Sequence, residues 1–505
     1  MPQIEKINTN KKLITSLAGG MLWVIVGMLI ARILGYGIRA VIAHAYGVEL
    51  YGFINTGLSL MMIFAMVGIV GLNTGVSRQI SFYRAKSDLE KVHVQIFSAY
   101  KITFFTSVIF ALVLYITSEF IAENVFKTPE LTIVLKIFSF GIPLYNILEV
   151  NTSIFKGLKQ IFYFTFYHDI LRFFIILVVI AFSSLIEKSF TIVILAYPIS
   201  YVIIDLITLF ILMKKTGLII WDKLRFSLSD KEILMLSMPL MLGGIFWLLL
   251  PRTDTIIIGV LLDQASVGLY NAAVPIGQLI LLIRQALSPI VLPLFTELFA
   301  RNDKESLSLM YYISVKWTSM LAIPLFVSMM ILPQFYISLI FSKSFLASIP
   351  VLRIIIIGYF LHTVVGPTSN LLVILGDTKK TMINSIIAFI CSIGFNLILI
   401  PKYKLIGAGI SSVISFNIFN ILCFIQVYQK IKIQPFRLLH IKFVVAGLIP
   451  LPILYYLSIT SSHLISISAY FISYILLLIF LRAIKNEDLI VFNVIKSRFK
   501  QSSRE

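Results

Sequence analysis

The sequence predicts an all-α polytopic membrane protein with fourteen transmembrane helices, and two observations lead to this prediction. Hydrophobic residues make up 59% of the 505 residues, charged residues make up 13%, and the mean hydropathy is +0.98. Soluble domains are about 45–50% apolar and about 25% charged. Apolar runs of about 20 residues, the length that crosses a bilayer, also recur along the whole chain. This composition excludes the soluble classes.

The fourteen predicted spans follow from these apolar runs. The first run lacks the small-residue cleavage site of a signal peptide, so we expect it to be retained as a helix. Connections are short, the longest being 77–92, 214–232 and the tail after 484, which leaves no room for a soluble catalytic domain. In chain order, the predicted spans are 18–44, 49–76, 93–118, 130–154, 160–182, 189–213, 233–262, 266–298, 308–333, 347–374, 380–401, 404–430, 438–459 and 463–484.

Lys and Arg are distributed unevenly between the two sides of the predicted membrane. With the N-terminus inside, 28 of the 42 Lys and Arg lie on the cytoplasmic side and five lie on the outer side. Because basic connections stay inside, this bias predicts a multi-pass protein of the cell (cytoplasmic) membrane with both termini in the cytoplasm. The net charge of +19 then faces anionic membrane lipids, so no nucleic-acid partner is needed.

An internal repeat divides the chain. "YGFINTGLSL" at 51–60 matches "VGLYNAAVPI" at 267–276, with Gly52 opposite Gly268, and further matches recur at nearly the same offset. Six helices separate equivalent points, which predicts a parallel repeat about an axis along the membrane normal, with substrate held between the halves. The predicted units are an N-terminal lobe at 1–220 with helices 1–6, a C-terminal lobe at 221–432 with helices 7–12, and 433–505 with two further helices and a basic cytoplasmic tail.

Basic residues lie deep within several predicted spans, where an ionised side chain costs about 3 kcal/mol or more. Lys101 lies near a predicted helix end and is expected to extend its amine to the membrane surface. Arg32 and Arg39 are seven residues apart, so they share one face of the first helix. The other arginines near mid-span are Arg172, Arg252 and Arg284. Because guanidinium groups stay charged and bind phosphate through two parallel hydrogen bonds, this excess predicts an anionic cargo such as a phosphate or pyrophosphate group.

Deep acidic residues are fewer, and each offers a charge-pairing or ion-coupling role. Asp169 precedes Arg172 by three residues, so the two are expected to pair on one helix face. Asp254 follows Arg252 by two residues and therefore points in another direction, with Arg32 or Arg284 as candidate partners. The alternative for each pair is a role in packing alone.

Motifs for other chemistry do not occur in the sequence. There is no phosphate-binding GxxxxGK[ST] loop, no HExxH and no CxxC, and the six histidines are scattered. His168, beside Asp169, is the one histidine of interest. The sequence therefore predicts no catalytic residue, no metal site and no cofactor.

Three segments resemble a known family. They are "ARILGYGIRAVIAHAYGVELYGFINTGLSLMMIFAMVGIVGLNTGVSRQISFY" at 31–83, "RTDTIIIGVLLDQASVGLYNAAVPI" at 252–276 and "NLILIPKYKLIGAGISSVIS" at 396–415. They resemble polysaccharide-export flippases of the multidrug/oligosaccharidyl-lipid/polysaccharide superfamily. The resemblance implies a monomeric carrier that moves a lipid-linked oligosaccharide from the cytoplasmic to the outer leaflet by alternating access. It also implies pyrophosphate contacts from Arg32, Arg39, Arg78, Arg252 and Arg284, and it places Asp254 where such proteins often carry an aspartate.

Two other functions and the coupling ion stay open at this point. A cation-coupled multidrug exporter of the same superfamily predicts twelve spans and an acidic cavity. A membrane glycosyl polymerase or ligase predicts a large outer loop. A carrier that returns empty could use a counter-ion, H⁺ or Na⁺, with Asp254 or Asp169 as its site.

Overall fold

Membrane-length helices fill the computed structural model, which describes residues 24, 26–186, 189–216 and 228–483. These residues form no β-strand, and the predicted all-α membrane fold is confirmed. The helices of the N-terminal half are α1 (Val26–Ala45), α2 (Gly47–Gly68), α3 (Leu72–Ala85), α4 (Leu89–Val125), α5 (Leu131–Gly157), α6 (Ile161–Ile186) and α7 (Phe190–Thr216). The helices of the C-terminal half are α8 (Leu228–Leu261), α9 (Gln264–Gly277), α10 (Leu279–Ala300), α11 (Lys304–Ile331), α12 (Pro333–Ser338), α13 (Ile349–Val364), α14 (Thr368–Ile374) and α15 (Thr378–Ile431). The last helices are α16 (Leu439–Leu448), α17 (Leu451–Thr460) and α18 (His463–Phe480).

The helix lengths are consistent with fourteen membrane crossings. Among the described residues, twelve helices are long and apolar enough to cross, and thirteen if α9 and α10, which bend by 42°, form one span. α15 contains 54 residues and breaks at Lys404, where φ is 51° and ψ is −133°. A helix of that length extends for about 80 Å, which is more than twice a hydrocarbon core of about 30 Å. α15 therefore corresponds to the two predicted spans 380–401 and 404–430.

The predicted second span and the connection after it differ from the structure. α2 ends at Gly68, and α3 begins at Leu72 after a bend at Gly71, whose φ is +74°. α3 forms because Leu72, Val76 and Ile80 recur every fourth residue and give the helix one buried face. Much of the expected 77–92 connection is therefore an amphipathic helix.

Gly52 of α2 and Gly268 of α9 lie where these two helices cross. A Cβ on Gly52 would lie 1.8 Å from the carbonyl oxygen of Gln264, and a Cβ on Gly268 would lie 2.1 Å from that of Val48. The two contacts are reciprocal, because 216 residues separate both Val48 from Gln264 and Gly52 from Gly268. A two-fold axis between like surfaces produces reciprocal contacts of this kind. They support the predicted repeat, although its boundary at 220–221 lies outside the described residues and the lobe limits stay a prediction.

Replacing Gly52 by Leu is expected to prevent close approach of α2 and α9, because the new side chain would collide with backbone atoms of α9. Overpacking typically costs about 1–3 kcal/mol, which shifts the equilibrium between the closed and open states of this crossing by about five- to 150-fold. The rate at which a water-soluble thiol reagent labels a single cysteine introduced near Gly52, measured in membranes, should rise accordingly. Gly394→Leu is the matched control, because a Cβ at Gly394 would meet nothing within 4 Å. Unchanged accessibility in Gly52→Leu would contradict the close contact.

The last three helices pack against α11 through a separate apolar cluster. Its largest buried side chains are Phe443, Tyr470 and Tyr474. The Tyr474 hydroxyl donates a hydrogen bond to the carbonyl of Met320, which is on α11. α16–α18 therefore attach to the outside of the C-terminal half, as expected for helices added to a repeat.

Candidate functional site

One face of α1 carries three polar side chains toward the C-terminal half. Arg32 donates a hydrogen bond to Oε1 of Gln285 on α10 at 3.0 Å. One turn later, the Tyr36 hydroxyl donates to the carbonyl of Pro275 on α9 at 2.8 Å. Arg39 follows on the same side of α1, since both arginines are within electrostatic reach of Tyr36. α1 therefore lines the interface between the halves with two guanidinium groups.

Arg39 has hydrogen-bonding capacity that the described residues do not use. Its Nη1 donates to the carbonyl of Gly35 in the same helix at 3.1 Å, whereas its Nε is buried and has no hydrogen-bond partner in the described part of the chain. Tyr51 and Tyr197 lie within electrostatic reach, and both are neutral at ordinary pH. A half-buried cation whose buried Nε–H has no partner among the described residues is suited to bind an anion.

Arg252 of α8 lies within electrostatic reach of Arg39 on α1. The charge of Arg252 interacts with Arg39, with Tyr145 of α5 and with Tyr201 of α7. Like charges within electrostatic reach repel each other, and the described residues place no carboxylate within 4 Å of either one. A shared anion would relieve the repulsion.

The other two arginines of the predicted set are placed differently. Arg284 of α10, next to Gln285, points into the C-terminal half, where it donates to the carbonyl of Gly366 at 3.4 Å and interacts with His362. Arg78 is exposed on α3, and no contact among the described residues links it to the other arginines. The structure therefore places Arg39 and Arg252 within electrostatic reach of each other and Arg32 on the same face of α1 as Arg39, whereas Arg284 and Arg78 lie apart from them.

Asp254 is 2% exposed and is enclosed by neutral donors. Its Oδ2 accepts hydrogen bonds from the hydroxyls of Tyr270, at 2.8 Å, and Ser412. Its Oδ1 accepts from Asn396 Nδ2 at 2.7 Å and from the Ser392 hydroxyl at 3.2 Å. These donors come from α9 and from both segments of α15, so they position the carboxylate inside the C-terminal half.

The predicted pairing of Asp254 with Arg32 or Arg284 is therefore wrong. Asp254 faces α9 and α15, whereas Arg32 extends from α1 to Gln285 on α10 and Arg284 bonds to the backbone of Gly366. Four neutral donors satisfy the carboxylate without a cation. A sequence shows that a buried carboxylate needs partners, but it does not show whether distant hydroxyls or guanidinium groups supply them.

The predicted pairing of Asp169 with Arg172 is also wrong. Asp169 Oδ1 lies 2.6 Å from Nδ1 of His168, and His168 Nε2 lies 2.9 Å from Oε1 of Glu149 on α5. The reason is local geometry, because Thr165–Leu171 is π-helical. A π-helix has more residues per turn than an α-helix, so side chains three apart no longer align. Glu149 was absent from the predicted site, because its position near the end of a predicted span gave no sign of burial.

The end of the bundle opposite the Gly52 crossing is also closed by contacts between the halves. The Tyr83 hydroxyl on α3 donates to Glu232 of α8 at 2.6 Å, and this bond raises the pKa of Tyr83 to about 12. Lys101 of α4 donates to Asp230 of α8 at 2.5 Å in a buried ion pair. The expected extension of Lys101 to the membrane surface is therefore wrong, because a carboxylate on α8 binds its amine inside the protein.

A family model described as polysaccharide biosynthesis protein matches residues 17–299, which is more than half of the chain. The chain belongs to the polysaccharide biosynthesis protein family. This family member also matches the model for the lipid II flippase MurJ over residues 253–480. The two matches overlap at the start of the C-terminal half, where Asp254 and the Gly268 crossing lie.

One curated relative and two solved structures are similar to this family member. It is 24% identical over 198 residues to the probable low-salt glycan biosynthesis flippase Agl15 of Haloferax volcanii, which is 38% of this chain and 41% of that protein. Lipid II flippase MurJ in an inward closed conformation superposes with a TM-score of 0.73 at 19% identity, over 93% of this chain and all of that one. An inward-facing multidrug resistance MATE family transporter of the MOP superfamily superposes with a TM-score of 0.64 at 15% identity, over 81% of this chain and 98% of that one. The structural likeness shows a MOP superfamily fold.

Proposed function

We propose that this chain is a flippase that moves a polyprenyl-(pyro)phosphate-linked oligosaccharide from the cytoplasmic to the outer leaflet by alternating access, for polysaccharide or cell-surface glycan biosynthesis. The observation that carries the proposal is that Arg39 and Arg252, one from each half, lie within electrostatic reach of each other, and that neither forms an ion pair with a carboxylate among the described residues. A diphosphate group bridges the pair and joins the halves. The flippase relatives support this cargo class.

The sign of the charge favours a lipid-linked phosphate over a cationic drug. Arg39, Arg252 and Arg32 line the same interface, whereas the buried Asp254 is satisfied inside the C-terminal half. An organic cation would be repelled by this interface, and a phosphate would gain charge-assisted bonds from each guanidinium group. A multidrug exporter is therefore the weaker alternative, although MATE transporters share the fold. The glycosyl polymerase or ligase alternative requires a large outer loop, and no predicted connection is long enough.

The positive-inside bias orients the carrier with both termini in the cytoplasm of a cell membrane. The Gly52 crossing then lies at the outer end and the Glu232 contacts lie at the cytoplasmic end. With the inside negative, an anion that moves outward gains about 2.3 kcal/mol per charge per 100 mV. The carrier works as a monomer, with the polyprenyl tail in the lipid and the sugar between the halves.

We assign the coupling ion that drives return of the empty carrier to a cation, H⁺ or Na⁺, bound at an acidic side chain. Asp254 is one candidate site, because Asn396 Oδ1 beside it is buried without a hydrogen-bond partner among the described residues. An unused carbonyl oxygen next to a carboxylate suits a hard cation. Asp169 is the other candidate site.

Ligand-induced stabilisation of the purified protein tests the cargo class. A polyprenyl diphosphate at about a hundred times its Kd should stabilise the folded protein by about 2.7 kcal/mol, whereas the corresponding polyprenol should not. The thermal midpoint in detergent, with and without each lipid, gives the comparison. Arg252→Gln should lose most of the response to the diphosphate. Stabilisation by monovalent organic cations, with no response to the diphosphate, would contradict the proposal.

A further inference from the structure

A histidine in the N-terminal half lies between two carboxylates. His168 Nδ1 is 2.6 Å from Asp169 Oδ1, and His168 Nε2 is 2.9 Å from Glu149 Oε1. The side chains of His168, Asp169 and Glu149 are 20%, 17% and 12% exposed. We call these three residues the histidine triad. The triad connects α5 to the π-helical segment of α6.

The two contacts fix the number of protons in the triad. Each contact needs one hydrogen, because an ionised carboxylate oxygen and an unprotonated ring nitrogen are both acceptors. A neutral imidazole carries a single N–H, so both contacts form only when the triad holds one additional proton. That proton resides on the imidazole, which is ordinarily a stronger base than either carboxylate. The triad as arranged therefore contains an imidazolium and two carboxylates.

The geometry points to a proton-binding site at His168, Glu149 and Asp169 that carries the counter-ion of the carrier. This inference rests on the proposed function, because it names the ion and the place where it binds. π-Helical turns inside longer helices frequently mark functional sites. The triad lies in the half opposite Asp254, so the two sites are independent.

Charged and titratable groups on neighbouring helices surround the triad. α1 packs on α6 through Gly27 against Thr165 and Gly37 against Leu177, and its charged residue in that interval, Arg32, bonds to Gln285. The groups from α5, α6 and α7 within electrostatic reach of the triad are Tyr145, Lys156, Arg172 and Tyr201. The net charge of the triad is −1 with the additional proton and −2 without it. Loss of the proton therefore strengthens the electrostatic attraction between the triad and Arg172.

Loss of the proton from the histidine triad is expected to affect the proposed cargo site at Arg39 and Arg252. The Nε2–H bond of His168 breaks, its electron pair stays on nitrogen, and the proton passes to water. Nε2 and the Glu149 oxygen then face each other as two acceptors, so the contact opens and Glu149 becomes available to Arg172. Arg172 and Arg252 both lie within electrostatic reach of Tyr145 and Tyr201, so we expect the change at the triad to alter the electrostatic environment of Arg252. By reciprocity, cargo binding alters proton binding by the same factor.

Proton binding is measured first, without transport, by ¹⁵N spectra of the full chain labelled at histidine in lipid nanodiscs. Subtraction of the His168→Gln spectrum assigns the resonances. We expect an imidazolium at pH 7 in the wild type and a neutral ring at the same pH in Glu149→Gln. A neutral His168 in the wild type at pH 7 would overturn the site, whether or not the protein flips lipids.

Coupling is measured in proteoliposomes as the rate at which labelled polyprenyl-diphosphate oligosaccharide is flipped, with and without a pH gradient. The gradient should accelerate the wild type by about fivefold or more, whereas His168→Gln and Glu149→Gln should flip at gradient-independent rates. His44→Gln is the matched control, because His44 is exposed and bonds only to the carbonyl of Ala40. Equal acceleration of His168→Gln and wild type would overturn the coupling role. Absence of flipping in the wild type would instead contradict the proposed function.

Discussion

Replacing Arg252 by Gln is expected to slow translocation of a diphosphate lipid by about ten- to a hundredfold. Hydrogen bonds to charged groups contribute about 1.5–3 kcal/mol each, and about 1.4 kcal/mol corresponds to a tenfold change in rate. Gln keeps much of the side-chain size but removes the charge. The measurement is the initial rate of flipping in proteoliposomes at equal amounts of inserted protein.

Two further variants separate charge from shape at this position. Arg252→Lys keeps the positive charge but loses the planar guanidinium group with its two parallel N–H donors. Its flipping rate should therefore lie between those of the wild type and Arg252→Gln. Arg353→Gln is the matched control, because Arg353 is an exposed arginine on α13 and should tolerate the change. If Arg252→Gln flips at the wild-type rate, Arg252 does not contact the cargo.

Replacing Asp254 by Asn is expected to abolish any acceleration of flipping by a sodium gradient and to leave the proton response of the histidine triad unchanged. Coupling between two bound ligands is typically about 1–3 kcal/mol, or about five- to 150-fold. Asn preserves the size of the side chain and keeps one acceptor oxygen, which can accept from Tyr270 or from Asn396, but it carries no charge to attract a cation. The measurement is the flipping rate with a sodium gradient and with a choline gradient of equal ionic strength.

Asp263→Asn is the control for this prediction. Asp263 is an exposed carboxylate that caps α9 through the backbone N–H of Ser266, and Asn caps helices about as well as Asp. The control should keep both rate and cation dependence. A sodium response in Asp254→Asn equal to that of the wild type would show that the cation binds elsewhere.

The fold was largely predictable because the bilayer imposes a length and a composition on every crossing. Even α15, which continues through Lys404 as 54 helical residues, has the break that the two predicted spans require. α3 was missed because a surface helix of this kind has only one apolar face and falls below the hydropathy of a span. The Gly52 and Gly268 match was visible in the sequence, but their reciprocal contact required coordinates.

The placement of side chains was predictable where a single helix determines it and not where several helices meet. Arg32 and Arg39 are seven residues apart on α1, so their shared face follows from helical periodicity. Asp254 obtains its partners from α9 and α15, which no periodicity relates to α8. The interval from Asp169 to Arg172 was interpreted as α-helical, whereas the π-helical segment Thr165–Leu171 changes the directions of its side chains.

Comparison of cargo classes by the wild-type protein tests the central claim most directly. Proteoliposomes containing the purified chain are given labelled polyprenyl-diphosphate oligosaccharide, the same glycan on a neutral lipid, and a fluorescent organic cation. The account predicts that only the diphosphate lipid crosses at a rate above that of protein-free vesicles. Transport of the organic cation without movement of the diphosphate lipid would contradict it.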